Sequence, residues 1–110
     1  MEISSAVIIL AALAQDSRLS IYRTLVQAGP QGMSAGKISE ATGVQPSSLS
    51  FHMKELGIAN LVSSRQTGRF VIYAANFATM NALLAFMTEN CCGGNQPVSL
   101  ECLACPSSEN

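Results

Sequence analysis

The feature that most constrains this chain is a change of hydrophobic period at Leu61. Before it, apolar residues recur at helical spacing in short runs cut by Gly29-Pro30, Gly43 and Pro46. After it, Leu61–Arg65 and Phe70–Ala74 are rich in strand formers, with Gln66-Thr67-Gly68 between them as the turn of a hairpin. Helical spacing returns from about Asn76 to Glu89. At 110 residues the chain has room for one domain. The pattern therefore predicts a mainly α fold with a β-hairpin (α+β), in which five helices and a two-stranded wing share one core.

The first helix, over residues 3–14, is apolar on nearly every side (Ile3, Ala6, Val7, Ile8, Ile9, Leu10, Leu13). A helix without a polar face must be covered all round, and a domain this small leaves apolar surface to spare, so a partner subunit is expected. The same stretch is too short to span a bilayer and lacks the basic flank of a signal peptide, which predicts a cytoplasmic protein with no membrane contact. Asp16 and Ser17 offer caps for a second helix with Leu19, Tyr22, Leu25 and Val26 turned inward and Gly29-Pro30 at its end. Ser34 is a natural N-cap for a third, with Ile38 and Ala41 inside and Gly43 as its stop. Pro46 suits the first turn of a fourth, which buries Leu49, Met53 and Leu56 and runs to about Ala59. In the fifth, Phe77, Met80, Leu83, Leu84 and Met87 form one stripe that leads to Cys91 and Cys92 at the helix end. Gly93-Gly94-Asn95-Gln96-Pro97 then breaks regular structure, so residues 1–92 read as the folded domain and 93–110 as a cysteine-containing tail.

The third and fourth helices, joined by Gly43-Val44-Gln45, have the spacing of a helix-turn-helix. In that motif the second helix enters the major groove of DNA with its N-terminal residues at base edges. Gln45, Ser47, Ser48, Ser50, Phe51, His52 and Lys54 are the candidate contacts, small hydroxyls at a helix N-terminus being able partners for phosphate and bases. Arg65 and Arg69 flank the hairpin turn and are placed to grip the backbone or the minor groove. Charge points to the same third of the chain. The whole molecule carries −1, which argues against indiscriminate coating of nucleic acid. Residues 37–75 nonetheless hold Lys37, Lys54, Arg65 and Arg69 against Glu40 and Glu55, whereas no Lys or Arg follows Arg69.

Three segments carry a resemblance to a known family. Leu13-Ala-Gln-Asp-Ser-Arg-Leu-Ser-Ile-Tyr is similar to the LADPTRLRIL opening of the arsenical-resistance repressor (ArsR) family. Ser50-Phe-His-Met-Lys-Glu-Leu resembles its recognition helix, and Gly68-Arg69-Phe-Val-Ile-Tyr resembles its wing. The match runs over residues 5–90 in the family's order. It implies a winged helix-turn-helix repressor that binds operator DNA as a homodimer held by the first and fifth helices. The chain also departs from the pattern. Met33-Ser34-Ala35-Gly36-Lys37 stands where many members carry a Cys-Val-Cys box, and Gln45 replaces the usual serine cap. His52 falls at a common family position, where a phosphate contact or packing role is a more ordinary use than metal ligation.

All four cysteines (Cys91, Cys92, Cys102, Cys105) lie at the C-terminal end. Clustered thiols in a cytosolic chain point to metal binding or redox chemistry before structural disulfides. Thiolates select soft acceptors, with which trivalent arsenic and antimony belong. Cys91, Cys92 and Cys102 are the expected ligands of As(III) or Sb(III) as inducer, with Cys105 as substitute or spectator, and some arsenic-responsive members of the family resembled use a comparable set. Rival readings are a four-thiolate zinc site completed by the Cys102-Leu-Ala-Cys105 pair and a disulfide redox switch. From other classes come a small thiol oxidoreductase, which lacks a positioned acid or base, and a sequence-indifferent architectural DNA binder, which the net charge disfavours.

Overall fold

The computed structural model describes residues 1–94, in the order α1 (Ile3–Leu13), α2 (Asp16–Ala28), β1 (Met33–Ser34), α3 (Ala35–Thr42), α4 (Pro46–Ile58), β2 (Val62–Thr67), β3 (Phe70–Ala75), α5 (Phe77–Met87) and a tight turn over Cys91–Gly94. The expected tail, with Cys102 and Cys105, lies outside the described residues beyond Gly94.

The period change at Leu61 has a local cause. Asn60 takes φ +61°, a left-handed conformation that asparagine tolerates better than most residues. Asn60 N–H then donates to the Gly57 carbonyl at 2.9 Å and Leu61 N–H to the Leu56 carbonyl at 3.0 Å. This is the paired closure of a Schellman motif, with its apolar contact made by Leu56 and Leu61, both wholly buried. The chain therefore leaves α4 and enters β2 with Leu61 already in the core.

β2 and β3 form the wing, paired antiparallel from Val62↔Ala75 to Thr67↔Phe70. Its turn is Gly68-Arg69 rather than the expected residues 66–68, and both strands run further than the sequence indicated. Gly68 has φ +61° in the first turn position, as a type II′ turn requires. A third strand extends the two-stranded wing of the sequence reading. Met33 and Ser34 pair with Tyr73 and Ile72, giving the order β1-β3-β2. Two residues are too few to show alternation, so the strand left no periodic signal. Gly32 makes the approach possible: its φ is +75°, and a Cβ there would run into the Tyr73 carbonyl.

Ile21, Leu25, Ile38, Leu56 and Leu61 are the fully buried centre of the core. On α4, Leu49, Met53 and Leu56 are buried as expected. Other expectations need correction. Gln15, not Asp16 or Ser17, caps α2 by accepting a hydrogen bond from Arg18 N–H at 2.9 Å. The inward face of α2 is Ile21, Tyr22 and Leu25, while Leu19 and Val26 are exposed, because packing on α3 and β3 selects a neighbouring stripe. On α3, Ile38 is buried but Ala41 is exposed. On α5 only Leu83 is buried, Phe77 and Met80 are partly covered, and Met87 is exposed. The helix stops at Met87, so Cys91 and Cys92 belong to the separate turn that follows it. Finally, α1 buries Ala6 and Ile9 but leaves Ile3, Val7, Ile8 and Leu10 exposed, so one protomer does not cover it.

Candidate nucleic-acid interface and thiol site

The junction between α3 and α4 is built from short side chains that bond to local backbone. Ser34 accepts from Lys37 N–H at 3.4 Å and caps α3 as expected. Gly43 ends α3 in the left-handed conformation, its N–H donating to the Ser39 carbonyl at 2.8 Å. Ser39 Oγ donates to the Val44 carbonyl, and Val44 N–H donates to Thr42 Oγ1 at 3.2 Å. These bonds fix the direction in which α4 leaves the turn.

Gln45 occupies the N-cap of α4 without a side-chain hydrogen bond, and no acidic residue lies in the first turn. The first N–H groups of α4 therefore face no capping side chain or carboxylate there, and this end of the helix keeps its attraction for an anion. Gln45, Ser47, Ser48, Ser50, Phe51 and Lys54 are all exposed on this helix. Phe51 is 57% exposed, an unusual position for a phenylalanine in a small domain. Arg69 lies at the wing tip, and Arg65 is exposed on β2 with Nη2 donating to the Gln31 carbonyl at 2.8 Å. Exposed hydroxyls and a helix N-terminus on α4 and exposed arginines on the wing are the candidate DNA contacts.

His52 is placed differently from these residues. It is half-buried, edge-on to Phe51 with centroids 5.7 Å apart, and its Nδ1 lies 3.3 Å from Nη1 of Arg18. Arg18 was not singled out from the sequence. The signal available was its position in the segment that resembles the family's opening, in the first turn of α2.

Cys91 is half-buried and Cys92 exposed, with their sulfurs 3.7 Å apart. Two thiolates bound about 2.3 Å from one tetrahedral centre lie about 3.8 Å apart, so the separation suits a shared soft acceptor. Cys92 has φ +58° and Gly93 φ +72°, which turn the chain sharply just beyond the pair. Cys91 pushes the Cys92 thiol above its ordinary pKa, first through the hydrogen bond between the sulfurs and then through its charge. Among the described residues no group of three or more metal-ligating side chains comes together.

A helix-turn-helix followed by a β-hairpin on a helical core defines a winged helix-turn-helix, a fold of DNA-binding transcription regulators rather than of enzymes. Residues 13–65 match the helix-turn-helix domain family. Among solved structures, the chain is similar to an ArsR-like transcriptional regulator from Rhodococcus sp. RHA1, at 25% identity over 76% of each chain and a TM-score of 0.68. It is similar to NolR from Sinorhizobium fredii, at 31% identity over 76% of this chain and 81% of that one, with a TM-score of 0.63. It shares its fold with the homodimeric winged helix-turn-helix DNA-binding domain Mb0332 from Mycobacterium bovis, at 21% identity over 87% and 89% of the chains and a TM-score of 0.64. No curated protein matches the sequence. The chain is a transcriptional regulator with the ArsR-like winged helix-turn-helix fold. Among the described residues no single helix is long and apolar enough to cross a membrane.

Proposed function

We propose that this protein is a homodimeric repressor that releases operator DNA when trivalent arsenic or antimony binds Cys91, Cys92 and Cys102. The adjacent thiols 3.7 Å apart, just beyond the last helix, carry the ligand part of this reading. Their chemistry favours a soft, thiophilic ligand, and Cys102 is the nearest further cysteine in sequence. Cys105 is its substitute.

Homodimerisation is supported by the unpartnered apolar face of α1 and by the homodimeric state of the Mb0332 domain. In this proposal α1 and α5 meet their counterparts across a two-fold axis, and the two α4 helices face successive major grooves of a palindromic site. Ligand capture just after α5 then changes the packing of the interface helix and misaligns the two heads. A coupling of roughly 1–3 kcal/mol weakens DNA binding about 5- to 150-fold.

The experiment begins with a duplex recovered from random sequences by selection on the protein. Its fluorescence anisotropy is followed as arsenite, antimonite, phenylarsine oxide or zinc is added. Arsenite is expected to release the wild-type protein and to leave Cys91→Ser and Cys92→Ser bound. Full release of either variant would overturn the site. Release by zinc alone would replace the metalloid with a tetrahedral metal, and release only by an oxidant would replace it with a disulfide switch.

A further inference from the structure

Five of the six Lys and Arg residues are exposed, and only Arg18 is drawn partly into the fold. Its Nε–H donates to the Ala12 carbonyl in the last turn of α1 at 2.7 Å, and Nη1 lies 3.3 Å from His52 Nδ1 on α4. One side chain on α2 thus joins the end of α1 to the helix of the reading head. A guanidinium has donors only and keeps its charge, so this contact needs the lone pair of Nδ1. The ring proton is then on Nε2.

We propose that Arg18 is a positioning residue for DNA reading. By bonding Ala12 and His52 together, it fixes His52 as an Nε2–H donor and sets the serine-bearing face of α4 relative to α1. This rests on the reading that α4 contacts DNA. It gives His52 a definite chemistry, an N–H offered to a phosphate or base acceptor. It also provides a direct mechanical link between the helix proposed to carry the dimer contact and the helix proposed to read sequence.

Two measurements test this. Long-range proton–nitrogen NMR of the free protein is expected to show neutral His52 protonated at Nε2, and protonation at Nδ1 would overturn the proposal. This arm needs no DNA, so it stands even if α4 does not bind any duplex. In the second arm, Arg18→Lys and Arg18→Gln are expected to bind the selected duplex about tenfold more weakly, with the slope of log affinity against log salt unchanged. Lysine keeps the charge but lacks the planar fork that reaches both partners. Wild-type affinity in both variants would overturn the proposal. So would a slope smaller by about one, which marks a lost phosphate contact instead. If the Arg18 variants fail to fold by circular dichroism, His52→Gln takes their place, since it offers a donor near the Nε2 position and no acceptor at Nδ1. The same tenfold loss is expected, and its absence would count against the proposal.

Discussion

Gly32 and Tyr22 each hold a constraint on the fold. Gly32→Ala places a methyl group against the Tyr73 carbonyl at a φ of +75°, so β1 has to move or the strain has to be borne. A loss of about 2 kcal/mol is expected, seen as a lower urea midpoint at unchanged slope. Tyr22 is buried with its hydroxyl lacking a hydrogen-bond partner among the described residues, and burial raises its pKa. The fold therefore favours the neutral phenol. Its contribution to stability is complete below the ordinary tyrosine value and is lost as pH rises through the raised one. Tyr22→Phe is expected to flatten this alkaline loss and to leave neutral-pH stability unchanged or higher by about 1 kcal/mol. Calorimetric melts of both proteins across the alkaline range decide it. At the thiol pair, Cys91 raises Cys92, so Cys91→Ser is expected to move Cys92 alkylation to lower pH, read peptide by peptide in a mass spectrometer. An unmoved profile would show that the two sulfurs do not interact.

At the scale of elements, α1 poses the clearest question. Four large apolar side chains, Ile3, Val7, Ile8 and Leu10, stand exposed on one short helix. Val7→Glu together with Ile8→Glu is expected to yield monomers in sedimentation velocity, whereas Leu19→Glu on the exposed side of α2 serves as a control that stays dimeric. The wing makes a separate prediction. Arg69→Ala is expected to lower the salt slope of DNA binding by about one and weaken all sequences alike, while Ser48→Ala alters sequence preference. The order of elements was legible in the sequence because Gly29-Pro30, Gly43, Pro46 and Gly68 punctuate it at a helix end, a first helical turn or a hairpin turn. The hidden parts lacked a local signature. β1 is too short for a period, and its one clue was Gly32. The inward stripe of α2 was misread because residues 19, 22, 25, 26 and residues 21, 22, 25 both fit a helical template, and only α3 and β3 choose between them. In the reading head, the exposed residues follow from helix phase. The Arg18–His52 contact joins residues 34 apart in sequence and depends on how α2 packs on α4.

In the whole molecule, the proposed DNA-reading face on α4 and the wing is separate from the thiol pair beyond α5, and the proposed dimer connects them. Four of the six Lys and Arg residues (Lys37, Lys54, Arg65 and Arg69) lie in residues 37–75, and none follows Arg69. In the proposed function, ligand binding at the thiols acts on DNA through packing of the dimer. Such coupling is reciprocal, so DNA must weaken ligand binding by the factor with which ligand weakens DNA binding. The most direct test is the affinity of arsenite for the dimer, measured calorimetrically with and without a saturating amount of the selected duplex. An affinity roughly 5- to 150-fold lower on DNA is expected, matching the release titration. Equal affinity in the two titrations would contradict it.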